Sequence, residues 1–164
     1  LVGSEMCIRD RLITGAAGAV GGMAIQLAAH AGIRAAGLVS RPEHESAVLG
    51  LGAASAHSNS VSAGEFDAIF DAAGVFDHPH LLREGGRLVT VSDDTIPDSL
   101  EQRAGSAVHN YVQHDPRRLR ELSTLVDEGR LRLRVAEQYP LASIAQANRR
   151  AETGGLLGKI VIAM

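Results

Sequence analysis

Arg11-Leu12-Ile13-Thr14-Gly15-Ala16-Ala17-Gly18-Ala19-Val20-Gly21-Gly22 passes from a short apolar strand, through a turn built only of glycine and alanine, into a helical pattern. Val20, Met23, Ala24, Leu27 and Ala28 recur at the spacing of one buried helix face. Gly32 follows as the C-terminal stop. A second strand is expected at Ala35–Val39, then Ser40-Arg41 and Pro42, which suits a first helical turn ending near Gly50 or Gly52.

The same alternation continues. A third strand is expected at 53–57, a Ser-, Asn- and Gly-rich surface loop at 58–64, and a fourth strand in Phe66-Asp67-Ala68-Ile69-Phe70-Asp71-Ala72-Ala73-Gly74. A short helix is expected at 79–84, leading through Gly85-Gly86 into Arg87-Leu88-Val89-Thr90-Val91. Strand, helix, strand repeated in this way predicts βαβ units and a parallel sheet with right-handed crossovers. Further on we expect a polar loop at 93–105, a strand at 107–112, and a helix opening at Asp115-Pro116 with Leu119, Leu122, Leu125 and Val126 as its apolar stripe. Gly129 stops it. A strand at 131–139, a last helix from Leu141 broken by Gly154-Gly155, and the closing strand Lys159-Ile160-Val161-Ile162 complete the pattern.

Composition agrees with this class. The 164 residues are enough for one apolar core. With 45% hydrophobic residues, 3% aromatics and no Trp, that core must be aliphatic, as suits helices packed on a parallel sheet. A net charge of −3 and the lack of a long basic run argue against a nucleic-acid partner. No apolar stretch approaches the roughly 20 residues that span a bilayer, no secretory leader is visible, and we expect a cytoplasmic protein with no membrane partner. Cys7 alone can form neither an internal disulfide nor a cysteine-based zinc site. Residues 1–11 carry no apolar period and resemble translated sequencing-adapter sequence, so they are expected to be a non-native leader; the alternative is a short, poorly ordered terminus.

The turn at Gly15 to Gly21 offers chemistry as well as structure. A dinucleotide's diphosphate must approach backbone amides at a helix N-terminus, and glycines remove the side chains that would block it. Counted from Ala16, the dinucleotide fingerprint positions hold Ala16, Gly18 and Gly21, so the first glycine is replaced. The setting between strand and amphipathic helix gives the pattern its meaning; the plainer alternative is a tight turn that binds nothing. About 20 residues on, where the adenosine ribose should lie, stand Ser40 and Arg41 instead of an acidic residue. Hydroxyl and guanidinium donors suit a 2′-phosphate, so we expect NADP(H) over NAD(H). Glu43 nearby works against this, and an exposed arginine without specific function is the alternative.

Two dinucleotide families use such a turn. The short-chain dehydrogenases need a further glycine where Ala19 stands, and a Tyr with Lys four residues later; Tyr111 is followed there by Asp115 and Tyr139 by Ser143, so that reading fails on chemistry. The stretch 12–164 instead resembles the cofactor domain and tail of the medium-chain dehydrogenase/reductase family, in its zinc-free, quinone oxidoreductase-like branch. The resemblance rests on an ordered set: Ile13-Thr14-Gly15-Ala16-Ala17-Gly18-Ala19-Val20-Gly21, Leu51-Gly52-Ala53, the run 66–74, the run 82–91, Leu125-Val126-Asp127-Glu128-Gly129-Arg130-Leu131, Tyr139-Pro140-Leu141, the run 147–152, and Gly158-Lys159-Ile160-Val161.

The resemblance implies a Rossmann-type, doubly wound α/β fold with a truncated remnant of the GroES-like substrate domain at the C-terminal strand. It implies an NADP(H)-binding domain at 12–152 and a tail at 153–164 that rejoins the substrate domain. Gly15, Ala16, Gly18, Ala19, Val20 and Gly21 would then cradle the diphosphate, Ser40 and Arg41 the 2′-phosphate, and Ala73, Gly74, Val91 and Ser92 would line the nicotinamide end. The implied reaction is hydride transfer from NADPH to a small-molecule quinone, enone or other activated alkene or carbonyl, in a full-length enzyme that relatives suggest is a homodimer. The catalytic residues would lie upstream and are unknown, and the fragment alone should not turn over substrate. One departure stands out: some relatives hold the 2′-phosphate with a lysine where this chain has His44. Two rivals remain open, a nucleotide-binding module without turnover and the cofactor domain of a zinc-dependent alcohol dehydrogenase.

Other groupings carry less. Asp77-His78-Pro79-His80 falls short of the four ligands of a structural zinc and reads as a solvated turn, so no metal site is expected. Asp71, at a strand end, reads as a turn cap sooner than a general base. His30, His57, His109 and His114 stand without partners at useful spacing. Arg117, Arg118 and Arg120 with Glu121 read as a solvated helix face.

Overall fold

A computed structural model describes residues 11–58, 61, 66–74 and 78–164. Most of the expected leader with Cys7, most of the loop at 58–64, and Asp77 lie outside the described residues. Six parallel strands form one sheet in the order β3-β2-β1-β4-β5-β6, comprising β1 (Arg11–Ile13), β2 (Ala35–Val39), β3 (Ser55–Ser58), β4 (Phe66–Asp71), β5 (Leu82–Thr90) and β6 (Ser106–His109). This is the dinucleotide-fold order, with the chain reversing direction across the sheet between β1 and β4.

Alternate residues of the strands feed two layers. Leu12, Ala36, Leu38, Ile69 and Leu88 face one side, where Ile96 and Leu100 cover them. Ile13, Ala35 and Val39 face the other, against Ile25 of α1 (Ala19–His30) and Val48 of α2 (Glu45–Leu49). Leu12, Ile25 and Val48 are fully buried. Both faces of the sheet are therefore covered, which explains why β2 is buried at every residue.

Several elements differ from expectation, among them the helix at Pro116–Asp127, which has no buried residue and leaves Leu119 of its expected stripe 65% exposed. The buried face of α1 is Gly21, Gly22, Ile25 and Gln26, whereas Val20 is half exposed. Paired glycines let the helix press in on the side that hydrophobicity alone did not mark. The helix expected at 79–84 is one 3-10 turn, Pro79–Leu81; β5 starts at Leu82, pairs it with Phe66, and absorbs Gly85 (φ +74) in a register shift before Ala68 meets Arg87. Within the loop expected at 93–105 lies α3 (Asp98–Arg103), fixed by Ile96 and Leu100, an i, i+4 pair driven into the core.

Beyond β6 come α4 (Pro116–Asp127), β7 (Val135–Pro140), α5 (Ile144–Glu152) and β8 (Lys159–Ala163). Asp115 caps α4, its side chain accepting from the amides of Arg117 and Arg118. β7 and β8 pair in parallel as a separate two-stranded sheet, joining strands from either side of residue 152. Leu157, just before β8, packs on the α1 layer.

Candidate dinucleotide site

At the carboxyl ends of β1, β2 and β4 a cavity of about 610 Å³ opens. In a doubly wound sheet this is where ligands bind, at the point where strand order reverses. The turn after β1 forms one wall. Gly15 has φ +57, and a Cβ there would lie 3.0 Å from that of Ala73. A Cβ on Gly21 would collide with the Gly15 carbonyl, so the helix can start this close to the strand only with glycine at both positions. The tight-turn role thus belongs to Gly15, which leaves Ala16 free to be a fully buried core residue.

Of the residues expected at the site, Gly15, Gly18, Ser40, Arg41 and Ala73 line the cavity. Ala16, Ala19, Val20, Gly21, Gly74, Val91 and Ser92 do not. Gly21 lies behind the turn against Gly15, and Val20 points outward. Gly74 and Ser92 lie together beyond the β4 and β5 ends: a Cβ on Gly74 would be 2.9 Å from Ser92 Oγ, which itself donates to Asp94 (2.7 Å). Sequence reasoning missed several lining residues. Leu38 and Val61 give the cavity apolar wall, and Gly155 and Leu156 bring the C-terminal tail over it. Gly155 has φ +70, which favours glycine, and a Cβ there would crowd the Arg41 guanidinium. The adjacent pair Gly154-Gly155, read as a helix stop, was the available signal.

His44 is 8% exposed and lines the cavity beside Arg41. His78 and His80 also line it, their rings edge to face with centroids 5.7 Å apart. Among the described residues no group of three His, Cys, Asp or Glu side chains could hold a metal ion. The described residues therefore do not fit a zinc centre. For a nicotinamide dinucleotide they do fit, with an unobstructed turn, apolar wall and cationic far end in one cleft.

Beneath the turn, Asp71 unites three strand ends. Thr14 Oγ1 donates to one carboxylate oxygen (2.6 Å); Thr90 Oγ1 (2.7 Å) and the Gly74 amide (3.1 Å) donate to the other. Thr14 Oγ1 in turn accepts from the Ala72 amide, and Thr90 Oγ1 from that of Ser92. All three side chains are buried. Asp71 is thus more than a cap of its own turn; it sets the relative height of the β1, β4 and β5 ends around the cleft.

Known proteins bear on this geometry. A family model described as zinc-binding dehydrogenase matches residues 48–162. The quinone oxidoreductase of Coxiella burnetii superposes with a TM-score of 0.86 at 26% identity, covering 95% of this chain and 53% of that one. A cobalt- and zinc-bound thermostable alcohol dehydrogenase of Pyrobaculum aerophilum gives 0.82 at 25% identity, covering 95% and 50%. The spectinabilin polyketide synthase system protein NorB of Streptomyces orinoci is 30% identical over 93% of this chain, which corresponds to 8% of NorB. The chain spans about half the length of these solved structures and a small part of NorB. With the strand order, the bare turn and a family match over more than half its length, the chain belongs to the zinc-binding dehydrogenases of the medium-chain dehydrogenase/reductase family, as a cofactor-domain segment.

Proposed function

We propose that this chain is the NADP(H)-holding part of an oxidoreductase in which hydride passes to a quinone or to an activated alkene or carbonyl. One observation carries the reading: the bare turn at Gly15 and Gly18 shares a single cavity with Ser40 and Arg41. The diphosphate would rest on the amides of the turn, with Gly18, Ala19, Val20 and Gly21 forming the first turn of α1 behind it. Ser40 and Arg41 would take the 2′-phosphate, and Ala73, Gly74, Val91 and Ser92 would hold the carboxamide end. The nicotinamide supplies the hydride, while the chain binds, orients and keeps water from the ring. Residues 12–152 would form the cofactor domain and 153–164 the tail toward a GroES-like substrate domain, which would supply the acceptor site; the full-length enzyme would be a cytoplasmic homodimer. No helix among the described residues is long and apolar enough to cross a membrane.

For the cofactor, Arg41→Glu is the direct test. Losing a charge-assisted phosphate contact and adding repulsion should weaken NADPH at least tenfold, while NADH changes about twofold or less. Titration followed by cofactor fluorescence reads both. Equal effects on the two cofactors would remove the NADP(H) assignment.

A further inference from the structure

The chain between α4 and β7 lies along α1, and its contacts have a regular geometry. Arg130 Nη2 meets the His30 ring (2.8 Å). The Arg132 amide donates to Gln26 Oε1 (2.7 Å), and Gln26 Nε2 returns a bond to the Arg132 carbonyl (3.1 Å), so the buried amide side chain pairs like a peptide unit. Arg134 Nη2 donates to the carbonyls of Ala17 (2.7 Å) and Gly18 (2.8 Å). On the helix these contacts fall at His30, at Gln26 one turn earlier and, across the length of the Arg134 side chain, at the Ala17 and Gly18 carbonyls where α1 begins. On the strap they fall at 130, 132 and 134, two residues or about 6.6 Å per step in an extended chain. The strap thus runs antiparallel to α1 and ends with a guanidinium at the dinucleotide turn.

Room for that guanidinium comes from Gly22. A Cβ on Gly22 would lie 3.1 Å from Arg134 Cζ and collide with Nη2. Arg134 Nη1 is buried and has no hydrogen-bond partner among the described residues. Burial pushes the pKa of Arg134 below its ordinary value, yet a guanidinium stays charged in a protein. A half-buried cation with an unsatisfied donor is costly for a fold, and stability alone does not account for its position.

We propose that Arg134 is a positioning residue for the cofactor's diphosphate: by fixing the Ala17 and Gly18 carbonyls it holds the turn in shape and adds positive charge beside the N-terminus of α1. This rests on the reading of that turn as the diphosphate cradle. Arg134 acts through the turn and need not touch the cofactor. Gly22 then has a specific reason to be glycine, distinct from the packing role of Gly21.

The test uses the 164-residue chain with two probes, NADPH, which contains the diphosphate, and 2′-AMP, which carries only the adenosine end. Arg134→Gln should weaken NADPH about tenfold, the scale of a charge acting at a partly buried helix terminus, and leave 2′-AMP within about twofold. Arg134→Lys should restore part of the loss. Gly22→Ala should reproduce Arg134→Gln, and the double variant should be no worse than either single one. Far-ultraviolet circular dichroism checks that each variant folds. Unchanged NADPH binding in Arg134→Gln, or equal weakening of both probes, would overturn the proposal. A wild-type chain that binds 2′-AMP and NADPH with the same affinity would refute the cradle itself, and the role of Arg134 with it.

Discussion

A single buried carboxylate decides how the strand ends stand around the cleft. Asp71 is 1% exposed and receives two hydroxyls and an amide from β1, β5 and its own turn. Removing it leaves the Thr14 and Thr90 hydroxyls facing an empty, water-poor site. Asp71→Ala should therefore cost about 3 kcal/mol, given roughly 1.5–3 kcal/mol for a bond to a charged group, and Asp71→Asn less, because rotating hydroxyls can accept from the new amide. Urea unfolding reads the difference as a lower midpoint at unchanged slope; a loss below about 1 kcal/mol would show that the carboxylate does not unite the strands. The cap of the following turn, with the Gly74 amide donating to Asp71, was legible; the union of the strand ends was not. Thr14, Asp71 and Thr90 are far apart in sequence and each is an ordinary residue at the end of an apolar run. By contrast Gly15, Gly18, Ser40, Arg41 and Ala73 were legible, because strand-to-helix turns mark the carboxyl edge of a parallel sheet wherever the alternation is clear.

At the scale of elements, β7 and α5 are joined by one charged cluster. Glu137 accepts from Tyr139 Oη (2.7 Å) and from Arg150 Nε (2.7 Å), and Arg150 Nη1 reaches on to Thr153 Oγ1 and the Gly154 carbonyl. The Tyr139 hydrogen bond, aided by Arg150, holds the Glu137 pKa below its ordinary value; the same bond raises that of Tyr139. A depressed carboxyl stabilises the fold above its unfolded pKa and loses that contribution as pH falls through the folded one. A raised phenol contributes below its unfolded pKa and loses it as pH rises through the folded value. The join should thus hold from the ordinary carboxylate range up to that of tyrosine and weaken outside it. Glu137→Gln should flatten the acid limb of a stability profile, measured as unfolding midpoint against pH; an acid limb as steep as wild type would rule the cluster out. Because Arg150 also holds Gly154, next to the cavity wall at Gly155, acid should loosen that wall first. Element identity was legible for α1, β2 and α4, whose periods or caps are strong. It failed for α3 and the start of β5, where two core residues or one cross-strand pair outweighed polar local sequence.

On the scale of the whole molecule, the tail beyond residue 152 meets the six-stranded sheet at Leu157 on the α1 layer and at Gly155 beside Arg41. The cavity is therefore complete only when the chain around Gly155 and Leu156 is folded against the sheet, because these residues line it with Gly15 and Arg41. A cofactor that binds this cavity should stabilise both parts as one. At a hundredfold excess over its dissociation constant a ligand adds about 2.7 kcal/mol, which for a chain of this size raises the melting temperature by about 5–10 °C. NADPH should produce that shift and NADH, at equal concentration, a distinctly smaller one. A chain ending at residue 152 should lose most of the NADPH shift even where its own sheet still melts cooperatively, because Arg41 then lacks the backbone it packs against. Were the shorter chain to show the full shift, the tail would be no part of the site, and the adenosine end would have to be rebuilt from β2 alone.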